Sequence, residues 1–236
     1  SEEISADTLI DIGANYGEFS ASLANNFQSI YSIEPNPLVL NCLKKTLNNI
    51  NFQGKNINII PKACFEISDR YIPFDIDVDY SGGNSVIIRD KILGNQENKS
   101  SKRYCIEVET ISPKDILLSA QKYILDNNLN KNISIKLDVE GSELNILKNI
   151  LKLIHQKVLV FNSVLIMFEY NVDININNLY NRLLIDNIKE FISLGYKCRL
   201  IPGAPERFKS HGVKSVSIDN LEKEMQSSCE ICLIKT

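Results

Sequence analysis

Short β-branched runs alternate with longer stretches of helical periodicity along most of this chain, and that alternation limits the folds open to it more than any other feature. Residues 8–12, 30–34, 58–61, 133–138 and 164–169 read as strands. Between and after them, 17–27, 37–47, 113–127, 142–155 and 179–194 carry helical spacing, with Phe19, Leu23 and Phe27 on one face of the first and Pro37 at the permitted first turn of the second. Strand–helix repetition of this kind predicts a parallel sheet with helices on both faces, because right-handed crossovers join parallel neighbours. Two strands close the chain, 196–201 and 229–235, with only a short helical stretch at 218–226 between them. That connection is too short for a full crossover, so the last strand is expected to run antiparallel.

The chain has 236 residues, of which 44% are hydrophobic and 23% charged, so it can bury a sizeable core without metal or disulfide staples. A formal net charge of -3 argues against a nucleic-acid or anionic-membrane partner, since either would call for a clustered basic surface. No apolar run reaches the roughly eighteen residues of a membrane span, and 158–170 is broken by Asn162 and Ser163. The first residues lack the basic and apolar regions of a signal peptide, which makes the cytoplasm the expected location. Residues 1–236 read as a single domain excised from a longer protein, with 65–112 as a β excursion and loop over the face where the strands end. Tyr80 and Asn84 in that loop are weaker candidates for substrate contact. Of the six cysteines, Cys229 and Cys232 have the spacing of half a zinc site, but no second pair completes it, and all six read as structural thiols.

Three motifs carry chemistry. Asp11-Ile-Gly-Ala-Asn-Tyr-Gly17 falls at the turn from the first strand to the first helix. In open α/β sheets that crevice is where ligands bind, and glycine lets the backbone come close to one. A dinucleotide fold would have further glycines where this chain has Asn15 and Glu18. An acidic side chain there would repel a pyrophosphate, whereas a ligand carrying a sulfonium cation suits it. Glu34, in Glu34-Pro-Asn-Pro37, ends the second strand, where a carboxylate can accept both hydroxyls of a ribose. In Lys136-Leu-Asp-Val-Glu-Gly-Ser-Glu143, strand parity puts Lys136, Asp138 and Glu140 on one side, while Glu143 favours the dipole of the following helix. Carboxylates packed this closely suggest cation binding, a raised pKa for one of them, or both.

These motifs, with Ile-Leu-Lys after the third, a later strand ending in Glu169 and the Leu-Gly-Tyr196 turn, resemble the FkbM family of S-adenosylmethionine-dependent methyltransferases from about residue 8 to about residue 201. The resemblance implies an α/β, Rossmann-like methyltransferase fold: a seven-stranded, mostly parallel sheet with an antiparallel last strand. It implies O-methylation of a sugar hydroxyl on a glycan or glycosylated metabolite, in proteins sometimes fused to a glycosyltransferase. The cofactor-binding set it implies is Asp11, Gly13, Ala14, Asn15, Gly17, Glu34, Asn36, Ala63 and Asp138. Within it Gly13, Asn15 and Gly17 wrap the methionine end, Asp11 orients the loop, Glu34 holds the ribose and Ala63 lies near the adenine.

Methyl transfer needs the acceptor oxygen aligned and its proton removed or masked. Glu140 and Glu169 are the candidate bases, and Asp138, the third catalytic candidate, is divided between cofactor and metal. Asp138 and Glu169 end adjacent strands in this fold and Asn171 follows, an arrangement by which some other O-methyltransferases hold Mg²⁺, so a divalent metal (Mg or Mn) on these three is an alternative to metal-free base catalysis. His211 is a lesser base candidate, and His155 favours a helix end. Two other readings stay open: a nicotinamide-dependent oxidoreductase, and a non-catalytic methyltransferase-like domain of a glycan-assembly protein.

Overall fold

The computed structural model describes residues 7–48, 54–78, 85–86, 102–170, 178–202, 214–225 and 229–236. Tyr80, Asn84, Asn171 and His211 lie outside the described residues. Five parallel strands form the centre: β1 (Thr8–Ile12), β2 (Ser29–Ile33), β3 (Asn56–Ile60), β8 (Asn132–Leu137) and β9 (Ser163–Tyr170). β12 (Cys229–Lys235) pairs antiparallel with β9 and with β10 (Lys197–Pro202), and a short β11 (Lys214–Val216) closes the edge. The complete order is β11-β10-β12-β9-β8-β1-β2-β3, eight strands. Seven of these with β12 reversed are the sheet expected from the sequence, and β11 adds an edge strand outside that set.

β1 and β2 are buried throughout because helices cover them on both faces. On one face, Leu9 and Ile30 pack with Ala24 and Phe27 beside α1 (Glu18–Leu23), and Ile57 and Ile59 of β3 pack with Leu43 and Leu47 of α2 (Pro37–Asn48). On the other face Ile10, Ile12 and Ile135 meet α3 (Pro113–Asp126), α4 (Glu143–His155) and α5 (Asn178–Ser193) through Ile116, Ile150 and Ile188. Ser112 caps α3, its Oγ accepting the Asp115 N–H at 3.1 Å, with Pro113 in the first turn. The first helix is shorter than its periodicity suggests. It ends at Leu23 and passes into a 3₁₀ turn over Ala24–Asn26, yet Phe27 still reaches the core.

The expected β excursion is a second sheet in which β7 (Arg103–Ile111) pairs antiparallel with β5 (Tyr71–Asp77), flanked by β4 (Ala63–Cys64) and β6 (Ser85–Val86). Phe74, Ile76, Val108 and Ala63 form its own small core. The polar stretch at 87–101 lies outside the described residues. Among the described residues no helix is long and apolar enough to cross a membrane.

Cys229 and Cys232 both belong to β12, where side chains alternate between faces. Cys229 shares the face of Ile231 and Leu233, and Cys232 lies on the other, so the pair does not converge on one ion. Burial pushes both thiols up to about 11 and Cys198 up to about 12, and it raises Cys64 as well. Cys42 and Cys105 alone are exposed. Titration of the native protein with a disulfide reagent at neutral pH should therefore count two fast thiols and release four more on unfolding, and a third fast thiol would contradict this burial pattern.

Candidate active site at the carboxyl edge of the sheet

The strand register assembles the site. Ile12 lies level with Ile33 and Leu137, and Leu137 with Phe168, so the next residue of each strand stands in one row: Gly13, Glu34, Asp138 and Glu169. The ladder continues into this row, with the N–H groups of Gly13, Glu34 and Asp138 donating to the carbonyls of Ile33, Ile60 and Ile12 at 2.9, 3.0 and 2.9 Å. Asp11, Ser32 and Lys136 stand two residues lower and on the same face.

The glycine loop is shaped first by the chain itself. Gly13 has φ +82°, and a Cβ there would sit 1.9 Å from the carbonyl oxygen of Asp138. The missing side chain lets β1 and β8 meet edge to edge. At Gly17, φ +83°, a Cβ would come within 2.6 Å of Leu43 Cδ1, so this glycine admits α2 against α1. Asn15 also has a left-handed backbone, φ 48°, which asparagine tolerates better than most residues.

Glu34 holds this loop from below. Its Oε2 accepts the Asn15 N–H and its Oε1 the Asn36 N–H, both at 2.8 Å. With 6% exposure, burial pushes its carboxyl above the usual range against the pull of those two bonds. Asn36 uses its side chain locally, Oδ1 accepting the Leu38 N–H at 2.9 Å at the start of α2. Ala14 packs on Leu43 and Leu47, and Ala63 is buried in the small sheet beside the crevice.

Beneath the loop lies a charge cluster whose geometry strand parity alone did not reveal. Asp11 is fully buried and accepts a hydrogen bond from Ser20 Oγ at 2.7 Å, which in turn meets Ser32 Oγ at 2.9 Å. Lys136 Nζ lies 3.4 Å from Asp11 Oδ1, 3.1 Å from Asp138 Oδ2 and 3.4 Å from the carbonyl of Gly13, over the ring of Phe19 at 5.3 Å. Asp11 Oδ1 makes no hydrogen bond, so the Lys136 charge compensates it without a directed bond. Burial raises the Asp11 carboxyl against the pull of Lys136 and Ser20. For Lys136 burial works downward, but the two carboxylates outweigh it and hold the ammonium above its usual value. Asp138 is 45% exposed and is the member of the cluster open to solvent.

Glu143 does more than favour a helix dipole. It is buried, with Oε1 accepting the Val139 N–H at 3.2 Å and Oε2 the Gly141 N–H at 2.9 Å and the Tyr180 hydroxyl at 3.2 Å. Burial raises its carboxyl despite these bonds. The carboxylate thus fixes the turn that follows Asp138, in which Glu140 has φ 50° and Gly141 φ +105°. The spacing from Asp138 to Glu143 was visible in the sequence, but Tyr180 comes from a different helix. Glu169 is exposed in β9 and faces Glu230 of β12 across the ladder. Among the described residues no three metal-ligating side chains come together, and Asp138 already has an ammonium beside it. His155 pairs with Glu190 on the surface at 2.6 Å, away from the crevice.

A search of curated proteins found no match. Among solved structures, a methyltransferase FkbM from Methylobacillus flagellatus KT aligns with 18% identity and TM-score 0.47 over 97% of this chain, which spans only 44% of that one. A putative methyltransferase from Streptococcus mutans in complex with SAH aligns with 9% identity and TM-score 0.43 over 98% of this chain and 92% of the other. A precorrin-6y C5,15-methyltransferase from Geobacter metallireducens GS-15 gives 12% identity and TM-score 0.40, with 98% and 81% covered. The methyltransferase FkbM domain matches residues 11–196, a span that begins at the buried aspartate under the glycine loop and takes in every strand end of the row. On that match the chain belongs to the FkbM methyltransferase domain family.

Proposed function

We propose that this methyltransferase uses S-adenosylmethionine to methylate a hydroxyl of a sugar, on a glycan or a glycosylated metabolite. The observation that supports this most is the row of carboxylates at the strand ends, Glu34, Asp138 and Glu169, standing above a buried Asp11–Lys136 pair. Carboxylates suit a ligand that is cationic at one end and rich in hydroxyls at the other. When bound, the cofactor supplies a methyl carbon activated by a positive sulfur.

The chain's own residues do the rest. Each Glu34 oxygen has accepted one backbone N–H and keeps a lone pair for a ribose hydroxyl. Asp138, steadied by Lys136, offers negative charge near the sulfonium and its amino group. Glu169 takes the proton of the acceptor hydroxyl, with Glu140 the second candidate. Gly13, Asn15 and Gly17 shape the wall along the methionine end, and Ala14, Asn36 and Ala63 supply packed surroundings rather than charge. The nicotinamide reading loses ground because the Asn15 N–H is engaged by Glu34 instead of being open to a pyrophosphate.

Calorimetry and turnover on two variants test this division of roles. Glu34→Ala should weaken S-adenosylmethionine binding by about 10- to 100-fold, the worth of charge-assisted hydrogen bonds. Glu169→Ala should leave Kd within about twofold and lower kcat by about 10²- to 10⁴-fold. Equal loss of cofactor affinity in both would overturn the assignment, and NAD binding in place of S-adenosylmethionine would favour the oxidoreductase.

A further inference from the structure

At the opposite end of the sheet from the crevice, a cavity of about 320 Å³ opens between the strand starts and the helices on one face. Leu117 of α3, Ile133 of β8, Ile150 of α4 and Phe161 of the α4–β9 connection contribute apolar walls. The lining contains no acidic side chain, and its two charged residues are both cationic, Lys157 and Lys235. Among the described residues neither is in an ion pair.

The backbone of Lys157 and the ammonium of Lys235 are each held in place. Lys157 follows α4 with φ 55°, its N–H donating to the carbonyl of Ile154 at 3.0 Å. Lys235 ends β12 with its Nζ 5.3 Å from the centre of the Tyr196 ring. The end of α4 would disfavour an anion if its carbonyls were open. The carbonyls of Lys152, Leu153 and Ile154, however, already accept the N–H groups of Gln156, Val158 and Lys157.

We infer that this cavity binds a free medium-chain alkyl carboxylate, its chain among the apolar residues and its head between Lys157 and Lys235. An apolar cavity of about 150 Å³ holds a six-carbon ring, so a space twice that size suits a chain of about ten carbons. The volume also falls at the lower end of small-molecule sites, about 300–1,000 Å³. Apolar walls with two ammonium groups outside any described ion pair match an amphiphile with one negative end. This site is independent of the methyl-transfer reading and does not stand or fall with it.

The test is calorimetry of decanoate against the whole protein, with decan-1-ol and butyrate as comparisons. One decanoate per chain should bind with Kd below about 100 µM, and butyrate at least about tenfold more weakly because most of the buried methylenes are gone. Lys157→Ala with Lys235→Ala should weaken decanoate by about tenfold or more and leave decan-1-ol within about twofold. Leu159→Trp, at the partly buried rim, should abolish binding of both. Absence of decanoate binding at about 1 mM would overturn the inference, and so would binding that survives both the lysine and the rim variants. Attachment to anionic vesicles without binding of monomeric decanoate would overturn it too, in favour of a lipid surface.

Discussion

Gly13→Ala should destabilise the protein by more than about 4 kcal/mol or prevent folding, an effect that only a severe clash produces. The added methyl would stand 1.9 Å from the Asp138 carbonyl oxygen, and that oxygen belongs to backbone held in the central ladder. No rotamer change relieves the contact. Either β1 or β8 must move, and each is buried on both sides. The left-handed φ of +82° adds about 1–2 kcal/mol of strain. Gly195→Ala isolates that smaller part, because Gly195 has φ +91° and a Cβ there meets nothing within 4 Å. It should cost about 1 kcal/mol, the strain being partly offset by a less flexible unfolded chain. Urea unfolding of the two variants makes the comparison, and a Gly13→Ala cost within about 1 kcal/mol of Gly195→Ala would show that the strands are not locked together here.

Lys136→Met should cost about 3–5 kcal/mol, because it strands the carboxylate of Asp11 in a buried site with no remaining cation. Adding Asp11→Asn should recover most of that loss, since the amide leaves no buried charge and can still bond to Ser20. The coupling energy between the two changes should therefore reach about 2 kcal/mol or more. Asp138→Asn removes the other partner of Lys136, but that carboxylate is 45% exposed and water screens it, so the cost should stay below about 1 kcal/mol. Denaturation of Lys136→Met, Asp11→Asn, the double variant and Asp138→Asn decides the matter. If Lys136→Met and Asp138→Asn cost the same, Lys136 serves the open carboxylate and not the buried one.

Most of the fold was legible in the chain because burial on both faces writes a strong pattern. β1 and β12 fall where the alternation put them, and the parallel strands and longer helices agree to within about two residues at their ends. β11 was not legible. Its three residues, Lys214 to Val216, show no alternation of their own, and they are a strand only through their ladder to β10. The shortening of α1 left no local mark either, since Phe27 is buried in both arrangements.

The site divides along a similar line. Asp11, Gly13, Glu34 and Asp138 could be named from their positions after strands, because a strand followed by a helix puts its last residues at the carboxyl edge. What each does depended on neighbours far away in the chain. Gly13 answers to Asp138, 125 residues on, and Lys136 reaches back to Asp11 and Gly13. Glu143 engages Tyr180 from another helix.

By itself the sequence determined the kind of sheet, the order in which strands and helices follow, and the edge at which polar residues collect. Those properties rest on periodicity and turn chemistry, which act over a few residues. Only the tertiary structure decided which carboxylates are paired and which are open. It likewise decided that an apolar cavity with two lysines lies at the far end. Charge compensation and cavity shape are set by distances between segments, and those distances exist only once the strands have found their register.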